Sequence, residues 1–365
     1  MTQAQQKQPK HVMMMAAGTG GHVFPALAVA HELQQQGVEV SWLATPTGME
    51  NRLLKNHLIP IYQIDIQGVR GNGILRKLKA PFKILKATFN AMRYMKKLNV
   101  DAVAGFGGYV AGPGGLAARL LGIPVIIHEQ NAVAGFTNVQ LSRVAKTVCQ
   151  AFPKTFPESS KIVTTGNPVR KEISAILSPA WRYQEREKAN APIRILIVGG
   201  SLGAQALNER VPEALKQLDV PLSIYHQCGQ NHAEATRARY ADAPANLEVE
   251  VQPFIENMAE AYSTADLVIC RAGALTVTEI ATAGVAAVFV PLPSAVDDHQ
   301  TANAKFLADI HAAKICPQAT LTPDSLKALL VPLMNRTLLM EMAVKARQQA
   351  QPDATHRVVG LIQDL

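Results

Sequence analysis

A short apolar run, Val12 to Ala16, breaks into Gly18-Thr19-Gly20-Gly21-His22, and a helix-like pattern opens at Pro25. The same plan restarts near mid-chain, where Ile193 to Val198 gives way to Gly199-Gly200-Ser201-Leu202-Gly203 and a helix pattern from Ala204. A strand that ends in glycines and resumes as a helix leaves free N–H groups at a positive helix end, which suits a phosphate or diphosphate. Two such openings half a chain apart predict an α/β protein of two Rossmann-like domains with parallel sheets, facing each other across a cleft. At 365 residues there is enough chain for each domain to bury its own core.

Other segments extend the alternation. Val38–Leu43, Ala102–Ala104 and Val125–His128 read as strands, and Leu267–Cys270 precedes a helix that ends at Gly284 and a further strand, Val285–Val290. Pro153, Pro157, Pro168 and Pro179 punctuate a polar stretch that reads as a linker, with the boundary near Asn167-Pro168. The four cysteines, Cys149, Cys228, Cys270 and Cys316, have no C-x-x-C spacing and read as reduced structural thiols. The polar N-terminus is followed by too short an apolar run for a signal peptide, and no stretch of eighteen apolar residues occurs.

The net charge of +8 and a pI near 9.3 call for an anionic partner: nucleic acid, an acidic membrane or a phosphorylated substrate. From Arg76 to Lys86 five lysines and arginines interleave with apolar residues, and Arg93, Lys96 and Lys97 extend the series. A basic amphipathic helix favours a membrane surface over a merely solvated face. Nucleic acid is disfavoured because no binding module accompanies the charge.

The first glycine turn is not G-x-G-x-x-G and lacks an acidic residue at the end of the second strand, so the dinucleotide fingerprint fails. Its histidine either caps a helix or acts as a base. Gly105-Phe106-Gly107-Gly108-Tyr109 and Gly112-Pro113-Gly114-Gly115 are too rich in glycine for helix–sheet packing alone and suggest close approach of a ligand. His128-Glu129-Gln130-Asn131 ends a strand, where it either contacts sugar hydroxyls or forms a solvated loop. Downstream, Arg271 to Glu279 offers a second helix N-terminus with a carboxylate one turn in, fit for ribose hydroxyls or for the helix dipole alone. Asp297-Asp298-His299-Gln300 is a weak metal signal and reads better as a helix-capping turn.

Together these segments resemble the MurG family of UDP-N-acetylglucosamine transferases of peptidoglycan synthesis. The resemblance rests on Ala17 to Pro25, Gly107 to Val110 with Gly112 to Gly115, His128 to Asn131, Gly166-Asn167-Pro168-Val169-Arg170, Gly199 to Ser201 and Gly273 to Glu279. It implies a GT-B fold with an acceptor and membrane-associating domain over residues 1–167 and a UDP-GlcNAc domain over 168–345. A C-terminal helix, 346–365, is implied to return to the first domain. It also implies an inverting transfer of GlcNAc to the C4 hydroxyl of undecaprenyl-diphospho-MurNAc-pentapeptide, at the cytoplasmic face of the inner membrane, with roles in cell shape and division. Another lipid acceptor such as diacylglycerol, or UDP-GlcNAc 2-epimerisation, is the alternative.

The implied site is specific. His22 is the base and Glu129 orients or tunes it. The sugar nucleotide is assigned to Thr19, Gly20, Gly21, Asn131, Arg170, Ser201, Asn208 and Ile255. Arg271, Gln300 and the run Ala274, Leu275, Thr276, Val277, Thr278 and Glu279 complete that set, with Arg170 and Ile255 near uracil, Glu279 on ribose and Gln300 on the GlcNAc hydroxyls. The lipid diphosphate is assigned to Gly20, Gly21, Gly107, Gly108, Tyr109, Gly114, Gly115 and Asn138. No metal or other cofactor is required, though a divalent cation would be free to stimulate.

Overall fold

The computed structural model describes residues 8–66, 74–200, 203–293, 295 and 298–365, with the backbone alone over 74–79. Ser201 and Asp297 therefore lie outside the described residues, as do the side chains of Arg76, Lys77 and Lys79. The chain divides into two compact units, one of residues 1–168 with 351–365 and one of 169–350.

The first unit is built on a seven-stranded parallel sheet in the order β3-β2-β1-β4-β5-β6-β7. Its strands are β1 (His11–Ala16), β2 (Glu39–Ala44), β3 (Ile61–Gln63), β4 (Ala102–Gly107), β5 (Val125–Glu129), β6 (Thr147–Gln150) and β7 (Ile162–Thr164). Every residue of β1 and β4 is buried, as expected of strands covered on both faces by helices. Met13, Met14 and Met15 are fully buried, their unbranched side chains filling the space under the flanking helices. Strand order reverses between β1 and β4, and open α/β sheets place ligands beyond the carboxyl ends of strands at such a point. There the pairing is irregular: Met15 faces Gly105 but Ala16 faces Gly107.

The second unit carries a six-stranded parallel sheet, β10-β9-β8-β11-β12-β13, which reverses between β8 and β11. Its strands are β8 (Ile193–Val198), β9 (Leu222–Gln227), β10 (Leu247–Gln252), β11 (Leu267–Cys270), β12 (Ala286–Phe289) and β13 (Ala313–Ile315). Arg182 is buried here and donates to the carbonyls of Leu177, Tyr262, Ser263, Ala283 and Gly284, tying three segments to one guanidinium.

Three expectations need correction. The first helix, Gly20–Gln35, starts five residues before Pro25, which lies inside it; a missing proline N–H costs a single early-turn bond, and the glycines adopt helical angles freely. The proline-marked stretch does carry the crossing between the units, at Pro168 as expected, but it is structured rather than a plain linker: it contains β7 and leads into the helix Pro179–Lys188, with Pro179 at the first helical position and Ser178 capping Trp181 N–H. The return to the first unit falls at Gln351 rather than 346, because the helix Arg336–Gln348 stays with the second unit, where Arg347 donates to Ser174 O and Thr282 O. The last helix, Ala354–Gln363, packs on the Gly20–Gln35 helix, burying Val358, Val359 and Ile362 in the first core. All four cysteines are free and buried.

Candidate active site

The turn after β1 is anchored from below. Gly18 adopts φ +94° and its N–H donates to Glu50 Oε2 at 3.2 Å, while Glu50 Oε1 accepts from Thr45 N and Oγ1 at 2.8 Å. Glu50 is fully buried, and nothing in its spacing from the glycines marked it as their anchor. Gly20, Gly21 and His22 then form the first helical turn, with Thr19 at the N-cap contributing no side-chain cap. With the His22 N–H on Thr19 O, the N–H groups of Gly20 and Gly21 are the ones this helix end offers at the sheet's carboxyl edge.

His22 is half-buried, with Nδ1 3.1 Å from Ala17 O and 3.3 Å from Thr19 Oγ1. A carbonyl only accepts, so Nδ1 carries the proton and the neutral ring keeps its lone pair on Nε2. That edge lies against β4: a Cβ placed on Gly107 would sit 2.9 Å from His22 Cδ2 and 3.0 Å from Nε2. A Cβ on Gly108 would overlap Ala17 O at 2.2 Å, and both glycines have positive φ, +110° and +81°. Gly107 and Gly108 are therefore demanded by the approach of β4 to the His22 turn.

The other glycines of this segment do something else. Cβ atoms on Gly114 and Gly115 would strike Met15 Sδ at 2.3 Å and Leu141 Cδ2 at 2.5 Å, and both residues are buried in the helix Ala111–Leu121. Packing accounts for them, Gly114 against the sheet and Gly115 against the helix Phe136–Leu141, so their assignment to a lipid diphosphate is corrected; small residues let this helix sit close on both neighbours. Tyr109 is exposed beside the paired glycines.

At the end of β5 the solvated-loop alternative is overturned, because His128, Glu129 and Gln130 are all buried. Glu129 Oε1 accepts from Asn131 N and Nδ2 at 2.9 and 3.2 Å, and Oε2 from Gly135 N and Asn138 Nδ2 at 3.0 and 2.8 Å. These contacts make Glu129 the organiser of the 131–138 loop, a positioning residue that presents Asn131. Asn138 is buried and commits its Nδ2 to that carboxylate and to His128 O. His128 Nε2–H donates to Gly166 O, and burial lowers its pKa to about 4, so it stays neutral. Asn167 Nδ2 donates to Gln130 O, fastening the same loop to the residues before the crossing at 168.

In the second unit, the helix Ala274–Ala283 begins at Gly273, an extended N-cap without a capping side chain. Leu275 and Thr276 are partly exposed at this positive end, as an anion site requires. Val277 is fully buried with its N–H on Gly273 O, and Thr278 is buried with Oγ1 on Ala274 O, so both side chains are spent inside the unit. Asn208 is likewise turned inward, donating to Cys228 O and accepting from the buried, neutral His226, which burial holds at about 3. Its task is to fix the segment after β9. Arg271 grips Val290 O, Pro291 O and Gln318 Oε1, and Gln300 Oε1 accepts from Ala272 N and Leu292 N. Both therefore shape the loop after β12, with the Gln300 amide nitrogen left to meet a ligand. Asp298 stands at the N-cap of the helix His299–Ala308 in a left-handed conformation, and its carboxylate accepts from Thr301 Oγ1 rather than from a first-turn N–H, so the expected side-chain cap is not made.

Arg170 and Glu279, assigned to opposite ends of the nucleoside, form a 3.0 Å ion pair, and Tyr262 OH donates to the other carboxylate oxygen at 3.1 Å. Tyr262 is a residue that sequence reasoning missed, lying seventeen positions upstream on another helix. Burial raises the Glu279 pKa while Arg170 and the two hydrogen bonds oppose the rise. Ile255 is buried in the loop after β10. Glu279→Gln keeps the shape but removes the charge that holds Arg170. We expect the KM for UDP-GlcNAc to rise about 10–100-fold with kcat little changed, as steady-state kinetics would show. An unchanged KM would remove Glu279 from nucleotide recognition.

Residues 12–150 match the glycosyltransferase family 28 N-terminal domain and residues 194–358 its C-terminal domain. A protein from Acinetobacter baumannii named UDP-N-acetylglucosamine--N-acetylmuramyl-(pentapeptide) pyrophosphoryl-undecaprenol N-acetylglucosamine transferase is 79% identical over 365 residues, all of both chains. One of the same name from Psychrobacter cryohalolentis is 50% identical over 356 residues, 96% of this chain and 98% of that one. A crystal structure of Acinetobacter baumannii MurG matches with a TM-score of 0.88 and 77% identity, over 98% of this chain and 100% of that one. A calicheamicin glycosyltransferase, 14% identical with a TM-score of 0.68 over 99% of this chain and 98% of its own, shares the fold alone. Two parallel-sheet Rossmann-like units of the GT-B fold, matched along their whole length, place the chain in the MurG family of UDP-GlcNAc-dependent glycosyltransferases.

Proposed function

We propose that this enzyme moves GlcNAc from UDP-GlcNAc to the C4 hydroxyl of undecaprenyl-diphospho-MurNAc-pentapeptide, with inversion, in peptidoglycan synthesis. The observation that carries the reading is identity of 79% along the entire chain with a transferase of that name. His22 Nε2, which carries the lone pair in the tautomer set by Ala17 O, takes the hydroxyl proton as the acceptor oxygen bonds to the anomeric carbon. The bond from that carbon to the diphosphate breaks on the opposite face, so the α linkage becomes β. Negative charge gathering on departing UDP is met by the N-terminus of the Ala274–Ala283 helix, with Ser201 as a further hydroxyl. Gly20 and Gly21, at the first helical turn, suit the acceptor's diphosphate.

The helix dipole supplies the countercharge in this scheme, so no resident metal is needed. Radiolabelled UDP-GlcNAc should label a muramyl-diphosphate lipid but not diacylglycerol, and should do so in excess chelator. Labelling of diacylglycerol instead, or release of a free sugar epimer, would sink the proposal.

We further propose peripheral membrane binding at the cytoplasmic face, where such a lipid substrate resides. Among the described residues no helix is long and apolar enough to cross a membrane. The helix Ile74–Lys97 buries Ala87, Ala91 and Met95, and on its outer side Phe82, Leu85 and Phe89 stand 76%, 69% and 60% exposed. Lys86 and Arg93 continue that outer stripe at helical spacing, and Leu116 and Leu120 add apolar surface on the neighbouring Ala111–Leu121 helix. Aromatic anchors flanked by lysines suit an anionic bilayer. Reversal of Lys83 and Lys86 to glutamate should cut binding to anionic vesicles by about 10-fold or more, since each cation near such a surface contributes about 1 kcal/mol. Undiminished flotation with those vesicles would show the stripe to be a solvated face.

A further inference from the structure

On the second unit, Leu177 and Trp181 are 58% and 54% exposed at the start of the Pro179–Lys188 helix. With Ala175, Ile176 and Ala259 they line a cavity of about 570 Å³. A second cavity, about 530 Å³, opens over β8, β9 and β10 and shares Arg194, Asn257, Glu260 and Thr264 with the first, so the two form one groove. Its carboxylates, Glu172, Glu185, Glu248, Glu250, Glu256 and Glu260, are all exposed. The cations lining it are fewer and mostly engaged. Arg182 is spent on carbonyls, Arg186 pairs with buried Asp266 at 2.8 Å, and Arg194 alone is exposed, while Glu185 meets Lys188 at the surface. Burial, Glu250 and Glu260 together raise the pKa of Tyr225, in keeping with a negative potential along the groove.

An acidic groove with a tryptophan at its mouth stands out on a chain of net charge +8. Its sign repels the anionic membrane and a diphosphate, and Ile255, assigned to the uncharged uracil, is the one residue of its lining shared with the nucleotide assignment. It complements a segment with lysines and arginines on one side and apolar anchors on the other, the composition in which an exposed tryptophan becomes a binding centre. Such segments are concentrated in the cytoplasmic loops next to membrane spans. We propose that this groove docks a Lys/Arg-rich juxtamembrane segment of an integral membrane protein, an inference that rests on the membrane reading above for the source of the segment. The occupant would hold the enzyme beside a membrane partner without using the apolar stripe of the Ile74–Lys97 helix.

The groove carries its own reporter. Of the two tryptophans, Trp42 is fully buried and Trp181 is exposed. A tryptophan-free, 18-residue amphipathic peptide of leucine and lysine, added to the full chain without lipid, should shift the emission to shorter wavelength. A leucine–glutamate counterpart should not. Glu185→Lys with Glu260→Lys, or Trp181→Ala read by anisotropy of labelled peptide, should weaken binding at least about 10-fold. Turnover by the Trp181→Ala enzyme should be unchanged. In cells, a photocrosslinking residue in place of Trp181 should mark a basic segment within about 15–20 residues of a membrane span, identified by peptide sequencing. Absence of a shift, equal binding of the acidic peptide, or crosslinks to a soluble protein or a second copy of this chain would overturn the proposal. Peptide binding is read without vesicles, so its failure leaves the membrane reading standing, and failed vesicle binding leaves the groove standing.

Discussion

Replacing His22 with alanine should lower kcat by about 10²–10⁴-fold while leaving the affinity for UDP-GlcNAc within about 2-fold. The asymmetry follows from position. His22 belongs to the first unit, on the turn after β1, whereas the helix end and the Arg170–Glu279–Tyr262 set that suit the nucleotide belong to the second. A base acts only as the acceptor hydroxyl loses its proton, so its removal appears in the transition state and not in ground-state binding. His22→Gln is the sharper variant, because an amide fills the space and hydrogen-bonds but takes no proton. Should His22→Gln keep more than about a tenth of the wild-type kcat, with UDP-GlcNAc binding measured by calorimetry unchanged, His22 would be a positioning residue. Loss of nucleotide affinity in step with kcat would place the histidine in the sugar-nucleotide site.

The fold was legible because its signals are local. Apolar runs ending in glycine mark β1 and β8, and Gly284 marks a helix end where the chain turns left-handed at φ +61°. β7 was missed because only three residues, Ile162–Thr164, pair with β6 on one side, too short a run to show a period. The site was legible in its residue types but not in which way they face. Val277 and Glu279 sit two apart in one motif, yet helical rotation sends one into the core and the other to Arg170. Gly107 and Gly114 look alike in sequence; the first yields to a histidine ring and the second to a methionine. Asn208, Asn138 and Glu129 have the chemistry of ligand-binding groups, but their partners come from segments distant in sequence or across a loop. Glu50 and Tyr262 left no sequence signal for the same reason, being defined by what folds against them.

Gly107→Ala should cost about 10²-fold in kcat, and should do so through His22. A methyl group at this position meets the imidazole at 2.9 Å from Cδ2 and 3.0 Å from Nε2, too close for any real side chain, and so the ring must move. Because Nδ1 is tied to Ala17 O, the ring cannot swing away without giving up the bond that sets its tautomer. A displacement near 1 Å in a reacting group is enough for a loss of that size. The backbone strain of alanine at φ +110°, on the order of 1–3 kcal/mol, lowers stability but leaves a folded protein to assay. Gly108→Ala is the contrasting variant: its methyl overlaps the Ala17 backbone itself at 2.2 Å, where no side chain can yield, and the whole turn should be displaced with loss of soluble protein. The causal link is read from a double-mutant cycle. If Gly107→Ala works by shifting the base, then adding it to His22→Ala should lower kcat by less than about 3-fold further. A full additional 10²-fold would mean that Gly107 serves the acceptor directly, through close approach of its own backbone.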